Sequence, residues 1–261
     1  MTNVPGSLQP AGAALLDARQ PVVGMIHLAP LPGSPRWEGS MEMVFQRALA
    51  DARTLVEAGF KVLLIENYGD LPFHPHRVPV ETAASMTAIA QRLISTMGPE
   101  ISWGVNVLRN DASTAIAVAG AVGAAFVRVN VHCGATLTDQ GILEGQAHET
   151  LRMRSRLAPQ VQVWADASVK HGLPLAPRPL EDEVRDLVER GLADAVLVTG
   201  PRTGAPPDLA RLRLARAALA GVPLLAASGV ARENIGDLLQ VCEGVIVGTS
   251  IKEAGLTRSE E

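Results

Sequence analysis

Two carboxylates, one lysine and two histidines stand where strand-like segments of this chain end. Glu66 closes VLLIEN, Asp166 closes VQVWADA, Lys170 and His171 follow in DASVKHG, and His27 ends PVVGMIH. A carboxylate beside an ammonium and an imidazole can move protons near neutral pH, provided burial and neighbours set the pKa values apart. Two carboxylates in one cleft push one pKa upward, while Arg128 and Lys170 would keep the other ionised, so the pair divides into acid and base. Asp166 is the expected general base. The competing expectation is that Asp166 only anchors Arg128 as a structural ion pair. Lys170 is one of three lysines against 20 arginines, which hints that its chemistry matters. It could form a Schiff base, but a contact to a phosphate or oxyanion suits its place in a loop better.

A second set of residues suggests binding. FVRVNVHCG, residues 126–134, reads as a strand closed by Gly, with Arg128, Asn130 and His132 on one face and Val127, Val129 and Val131 on the other. Polar residues also end the other strand-like segments: His27, Glu66 or Asn67, Asn106, Asp166, Thr199 and Ser228. Buried without partners, each would cost ~1–3 kcal/mol, so the ring is better explained as a site than as core. Two glycine turns, AASGV with Gly229 and VGTSIKEAG with Gly248, Thr249 and Ser250, each precede a helical segment. Such turns let backbone N–H groups approach a phosphate. Arg202, in TGPRTG, could face the same anion. His27, His74, His76, His132, Glu66 and Asp166 could converge on a metal, but FHPHR lacks a zinc-like spacing, and no metal or other cofactor is expected.

These residues need a scaffold, and the sequence supplies one. Apolar strand-like segments recur at 21–27, 62–67, 101–108, 126–131, 161–167, 194–200, 222–228 and 244–250, each followed by a helical stretch. Strands alternating with helices imply a parallel sheet with right-handed crossovers, and eight such units match a single (β/α)8 barrel. The division expected is an N-terminal extension, residues 1–20, with a short helix at 12–18, and a barrel domain, residues 21–261. Ser40 and Asp111 are placed to cap helices, Pro179 to open one, and Gly59 and Gly221 to end them. Long loops at 28–39 and 67–80 should carry function. Trp37, in the first, could close over a ligand or meet another subunit.

Composition narrows the partners. Of 261 residues 47% are hydrophobic and the net charge is −4, with no basic stripe, so nucleic acid is not expected. No apolar run is long enough to span a bilayer, and residues 1–20 lack a signal-peptide pattern. Cys133 and Cys242 lie far apart, which fits a reduced, cytoplasmic setting. A small phosphorylated ligand is the expected partner, with homo-oligomerisation open.

The segments GMIHLAPLPGSP, IENYGDLPF, WGVNVLRND, FVRVNVHCGATLTDQG, GQAHE, ADASVKHGLPL, RGLADAVLVTGPRTG and GVIVGTSIK, running from about Pro21 to Lys252, together resemble the BtpA/SgcQ family. The resemblance implies a TIM barrel. One branch is associated with photosystem I biogenesis; another, among sugar-uptake genes, is described as a candidate nucleosidase. It carries no catalytic assignment. Two function classes follow. One is an enzyme working by acid/base chemistry on a phosphorylated sugar or nucleoside-like compound, of isomerase, lyase or nucleosidase type. The other is a non-catalytic biogenesis or stability factor, which should show an apolar surface patch, with Trp37, Met41 and Phe73 as its expected members.

Overall fold

The computed structural model describes residues 21–167, 169–176, 178–200, 205–253 and 256–257. Eight parallel strands close into a barrel: β1 (Val22–His27), β2 (Val62–Glu66), β3 (Ser102–Asn106), β4 (Phe126–Val129), β5 (Gln162–Ala167), β6 (Ala195–Thr199), β7 (Leu224–Ala227) and β8 (Gly244–Val247). Neighbours in the chain are neighbours in the barrel, and β1 closes on β8 through Val22↔Val245 and Gly24↔Val247. The expected helix 12–18 and Arg202 lie outside the described residues.

Helices α1 (Met41–Glu57), α2 (Val80–Met97), α3 (Ala112–Val122), α4 (Ala147–Leu157), α5 (Leu180–Arg185), α6 (Leu209–Ala218) and α7 (Ile235–Leu239) follow strands β1 to β7 in turn. The capping residues act as their types dictate. Ser40 accepts from the Met43 N–H at 3.2 Å and Asp111 from the Thr114 N–H at 2.9 Å. Gly123 takes the left-handed conformation that ends α3. The helical segment expected after Gly229 is the single five-residue α7. No described helix is long and apolar enough to cross a membrane.

Alternation along the strands sorts the apolar residues into two layers. Leu63, Ile65, Val105, Val127, Val129, Val163 and Ala165 face the helices, while Val23, Met25, Leu64, Phe126, Trp164, Leu197, Leu225 and Ile246 fill the barrel. The Phe126 and Trp164 rings stack with centroids 3.8 Å apart. Gly104 makes room for that stack, since a Cβ there would lie 2.2 Å from the Phe126 ring. This apolar plug is the floor of the site, because the next inward residues on the same two strands are Arg128 and Asp166.

One element was not read from the sequence. Residues Ala135–Thr138 and Gly141–Glu144 form a hairpin, and Gly172–Pro174 joins it as a third strand over the C-terminal end of the barrel. Its strands are three or four residues long and carry no clean alternation, so period alone could not reveal it.

Candidate active site at the barrel mouth

The register places His27 beside Glu66, Glu66 beside Asn106, and Asn106 beside Arg128. Each stands two residues beyond an interior apolar residue or, on β3, beyond Gly104, so the period of the strand turns all four toward the barrel axis. Three side chains then stitch the loops above them. The Leu108 N–H donates to Asn67 Oδ1 at 2.7 Å, the Leu31 N–H to Asp70 Oδ1 at 2.8 Å, and the Val131 N–H to Asn110 Oδ1 at 2.8 Å. Asn67, expected as a possible site residue, therefore holds the loops after β2 and β3 together.

Asp166 is held on every side. Arg128 donates through Nε to Oδ1 and through Nη2 to Oδ2, both at 3.0 Å, and Asn130 Nδ2 donates to Oδ2 at 2.8 Å. Its side chain has no solvent exposure, and it borders neither of the two cavities described below. This is the bidentate arrangement that a guanidinium and a carboxylate favour. It fits the anchor expectation, and it leaves Asp166 without a face toward a substrate.

Glu66 is held more loosely. Asn106 Nδ2 donates to Oε1 at 2.7 Å, and His27 Nε2 stands 3.6 Å from Oε2. Burial alone would raise its pKa, but the pairing with His27, the charges of Lys170 and Arg128, and the Asn106 hydrogen bond outweigh burial and hold it below the usual carboxylate range. Burial pushes His27 down to about 4 against the pull of Glu66, so this imidazole is neutral at neutral pH. Tyr68 stacks on it, with ring centroids 4.4 Å apart. Tyr68 is the chain's single tyrosine, a signal the sequence offered.

Lys170 and His171 follow β5 in the turn that leads to the third strand of the small sheet. Burial lowers the Lys170 pKa, with Arg128 and Arg109 adding to the effect and Glu66 and Asp166 opposing it. His171 sits in the left-handed region at φ 58°, a conformation usually left to Gly, Asn or Asp. Arg109 lies in the family-like segment WGVNVLRND and is given no catalytic or binding role from the sequence. It is 4% exposed and donates through Nη2 to the Lys170 carbonyl at 2.8 Å. An arginine in the turn after an apolar strand was the signal that could have flagged it.

Two cavities open into the mouth. The larger, about 550 Å³, is lined by Glu66, Arg109, Asn130, Lys170 and His171, the hairpin-tip residues Asp139 and Gln140, and an apolar wall of Tyr68, Leu71, Phe73 and Leu108. The smaller, about 30 Å³, is bordered by His27, Glu66, Tyr68, Arg128, Lys170, Ser228, Gly229, Gly248 and Thr249. The two glycine turns expected to hold phosphate thus meet at one rim. They are tied there by Ser250 Oγ, which donates to the Val230 carbonyl at 2.6 Å, so that hydroxyl proton is engaged within the protein. Gly229 has a packing reason as well, since a Cβ would stand 2.2 Å from Pro206 N. Gly248 has no such clash, its nearest neighbour being the Met25 side chain at 3.3 Å, and is open to a ligand.

Other expectations do not reach the mouth. His132 donates through Nε2 to the Gly191 carbonyl, 2.8 Å away, because β4 ends at Val129 and the alternation stops there. The His74 carbonyl accepts from the Arg109 N–H at 3.0 Å. Among the described residues no three His, Cys, Asp or Glu side chains group as a metal site. Trp37 and Met41 pack against the outer core and Phe73 lines the large cavity, so none of the three forms the surface patch expected of them. The apolar patch lies on the small sheet instead. Ile142, Leu137 and Leu173 are paired across its strands and are 48%, 48% and 70% exposed, with Leu175 beside them at 55%.

Residues 18–260 match the profile of the BtpA family. The photosystem I biogenesis protein BtpA of Synechocystis is 45% identical over 92% of this chain and 83% of its own length. An uncharacterized protein of Thermococcus kodakarensis is also 45% identical, over 93% and 90%. The sgc region protein SgcQ of Escherichia coli is 29% identical over 93% and 90%. Among solved structures, phosphoribosyl anthranilate isomerase from Thermus thermophilus aligns with a TM-score of 0.55 at 15% identity, over 92% of this chain and 93% of that one. The N-acetylmannosamine-6-phosphate 2-epimerase of Clostridium perfringens gives 0.55 at 12%, over 91% and 90%. These two likenesses establish the barrel fold.

Proposed function

The chain belongs to the BtpA family, and from that premise we propose that its barrel is an enzyme moving protons on a small phosphorylated sugar or nucleoside-like substrate. One observation carries this reading: Glu66, Lys170 and Tyr68 border both cavities, so a ligand seated in both would lay its middle across a carboxylate and an ammonium. Glu66 is the base in this proposal, ionised and, among the described residues, with only Asn106 in close hydrogen-bond contact. Lys170 stabilises or protonates the oxygen on which charge develops. His27, neutral, orients Glu66. Asp166 holds Arg128 and is itself held by Asn130, so these residues position rather than react. Gly248 and Thr249, with Gly229 and Ser228, receive the phosphate in the small cavity. The reaction type is that of an isomerase, lyase or nucleosidase.

The test is proton exchange. Sugar phosphates and nucleoside phosphates are incubated in D2O with the protein and with Glu66→Gln, and deuterium uptake or base release is followed by NMR. Uptake or release with the native chain and its loss in the variant supports the proposal; neither event with any ligand that raises the Tm would refute it. Gly248→Asp should also abolish the Tm rise given by phosphate esters, because a carboxylate at that rim repels them. An equal rise in both proteins places the phosphate elsewhere.

A second reading has one observation in its favour, the exposed stripe Ile142–Leu137–Leu173. A patch of this kind marks docking surfaces, as a biogenesis factor would need. Leu137→Asp combined with Leu173→Asp separates the two, since an enzyme keeps its proton exchange and a docking factor loses its biological role.

A further inference from the structure

We infer that the large cavity contains a second anion subsite, formed by Arg109 and Lys170, which takes the carboxylate of a phosphorylated sugar acid, with Asn130 placed to accept from a hydroxyl beside it. The inference rests on the reading of the small cavity as the phosphate cradle and adds the other end of the substrate.

Charge is the first support. Among the described residues, the charged groups held in the mouth are three cations, Arg109, Arg128 and Lys170, against two carboxylates, Glu66 and Asp166. Arg128 and Asp166 cancel each other. Two cations then face Glu66 alone, and His27 adds no negative charge. A buried cation without a counter-charge is costly, and an anionic ligand would relieve that cost. Asp139 also borders the cavity, but it is exposed at the hairpin tip, where its Oδ2 accepts from Gln140 Nε2.

Geometry is the second. Arg109 is 4% exposed, and among the described residues its side chain makes one hydrogen bond, to the Lys170 carbonyl. The rest of its fork of N–H donors lines the cavity, and such a fork matches the two oxygens of a carboxylate.

Unpartnered acceptors are the third. Asn130 is 3% exposed; its Nδ2 is engaged with Asp166, and its Oδ1 is buried without a hydrogen-bond partner among the described residues. Gln140 Oε1, from the hairpin tip, is in the same state. Both lie in the lining of this cavity. Acceptors call for donors, and a sugar acid supplies hydroxyls next to its carboxylate.

The experiment compares ligands that differ only at the carboxylate end. Phosphoglycerate is set against glycerol phosphate, and phosphogluconate against sorbitol phosphate, with inorganic phosphate as reference; two lengths keep the result independent of spacing. Binding is measured by calorimetry on the native chain, Arg109→Gln, Arg109→Lys and Gly248→Asp. At least one acid should bind about 10–100-fold more tightly than its neutral-ended counterpart. Arg109→Gln should erase that preference and leave inorganic phosphate within about 2-fold. Arg109→Lys, which keeps the charge but not the fork, should retain part of it, and it answers for a Gln variant that fails to fold. Gly248→Asp should weaken acid and neutral ligands alike. An acid that binds no better than its counterpart in the native chain overturns the subsite while leaving the phosphate cradle standing. Acid binding that ignores Gly248→Asp but depends on Arg109 keeps the subsite and overturns the cradle. A preference that survives in both Arg109 variants overturns the role of Arg109.

Discussion

Two corners of the mouth hold a carboxylate at a strand end, and they are built differently. At the β4–β5 corner, Asp166 receives three hydrogen bonds from Arg128 and Asn130 and touches no cavity. At the β1–β3 corner, Glu66 receives one close bond, from Asn106, has His27 at 3.6 Å, and borders both cavities. Residue type and place in the strand are almost the same. The difference lies in how many partners the neighbouring strands supply. A saturated carboxylate fixes structure, and an unsaturated one beside open space is available for chemistry.

The largest effect that would sharpen this contrast is on turnover. Glu66→Gln should reduce deuterium exchange by ~10²–10⁴-fold with a smaller fall in Tm than Asp166→Asn, since an amide oxygen still accepts from Asn106 while Lys170 and Arg109 lose the charge that faces them. Asp166→Asn comes next. It strands the Arg128 guanidinium, and the loss of a buried partner costs ~3–5 kcal/mol, a fall in Tm of roughly 10 °C for a domain of this size. If Asp166→Asn melts normally and loses exchange, the roles of the two corners are reversed.

The pH dependence of stability gives a third, smaller effect. His27 binds its proton at about 4 in the fold against 6.5 when unfolded. Between those values the unfolded chain carries the extra proton, so stability falls as pH drops from 6.5 toward 4, by ~3 kcal/mol at most. The depressed Glu66 acts below about 4.5, its ordinary value, where protonation of the unfolded chain again draws stability down. His27→Asn should flatten the upper part of this window in urea titrations, and an unchanged slope would remove His27 as its source. The smallest effect is at Tyr68. Tyr68→Ala removes its stack on His27 and should cost ~1 kcal/mol in chemical denaturation, with the Asp166 corner unaffected.

Much of the barrel was legible in the sequence. All eight strands stand where apolar segments recur, and Ser40 and Asp111 cap the helices they were placed to cap. Period 2 in strands and capping chemistry are local properties, so a single segment reveals them. The small sheet over the mouth was not legible, because three short strands from two loops find each other only after the barrel has brought the loops together. The polar ring was visible as a list, His27, Glu66, Asn106, Arg128, Asn130 and Asp166, without its internal partnerships.

The sequence by itself therefore determined the barrel, the end of it that is polar, and the residue types available there. Tertiary structure decided which carboxylate is locked and which is open, that Arg109 joins the mouth from the turn after β3, and that Gly229 is packed where Gly248 is accessible. The physical reason is range. Strand alternation is set within two residues, whereas the bond from Arg128 to Asp166 spans 38 positions and that from Arg109 to Lys170 spans 61, and distances of that kind exist only once the sheet has closed.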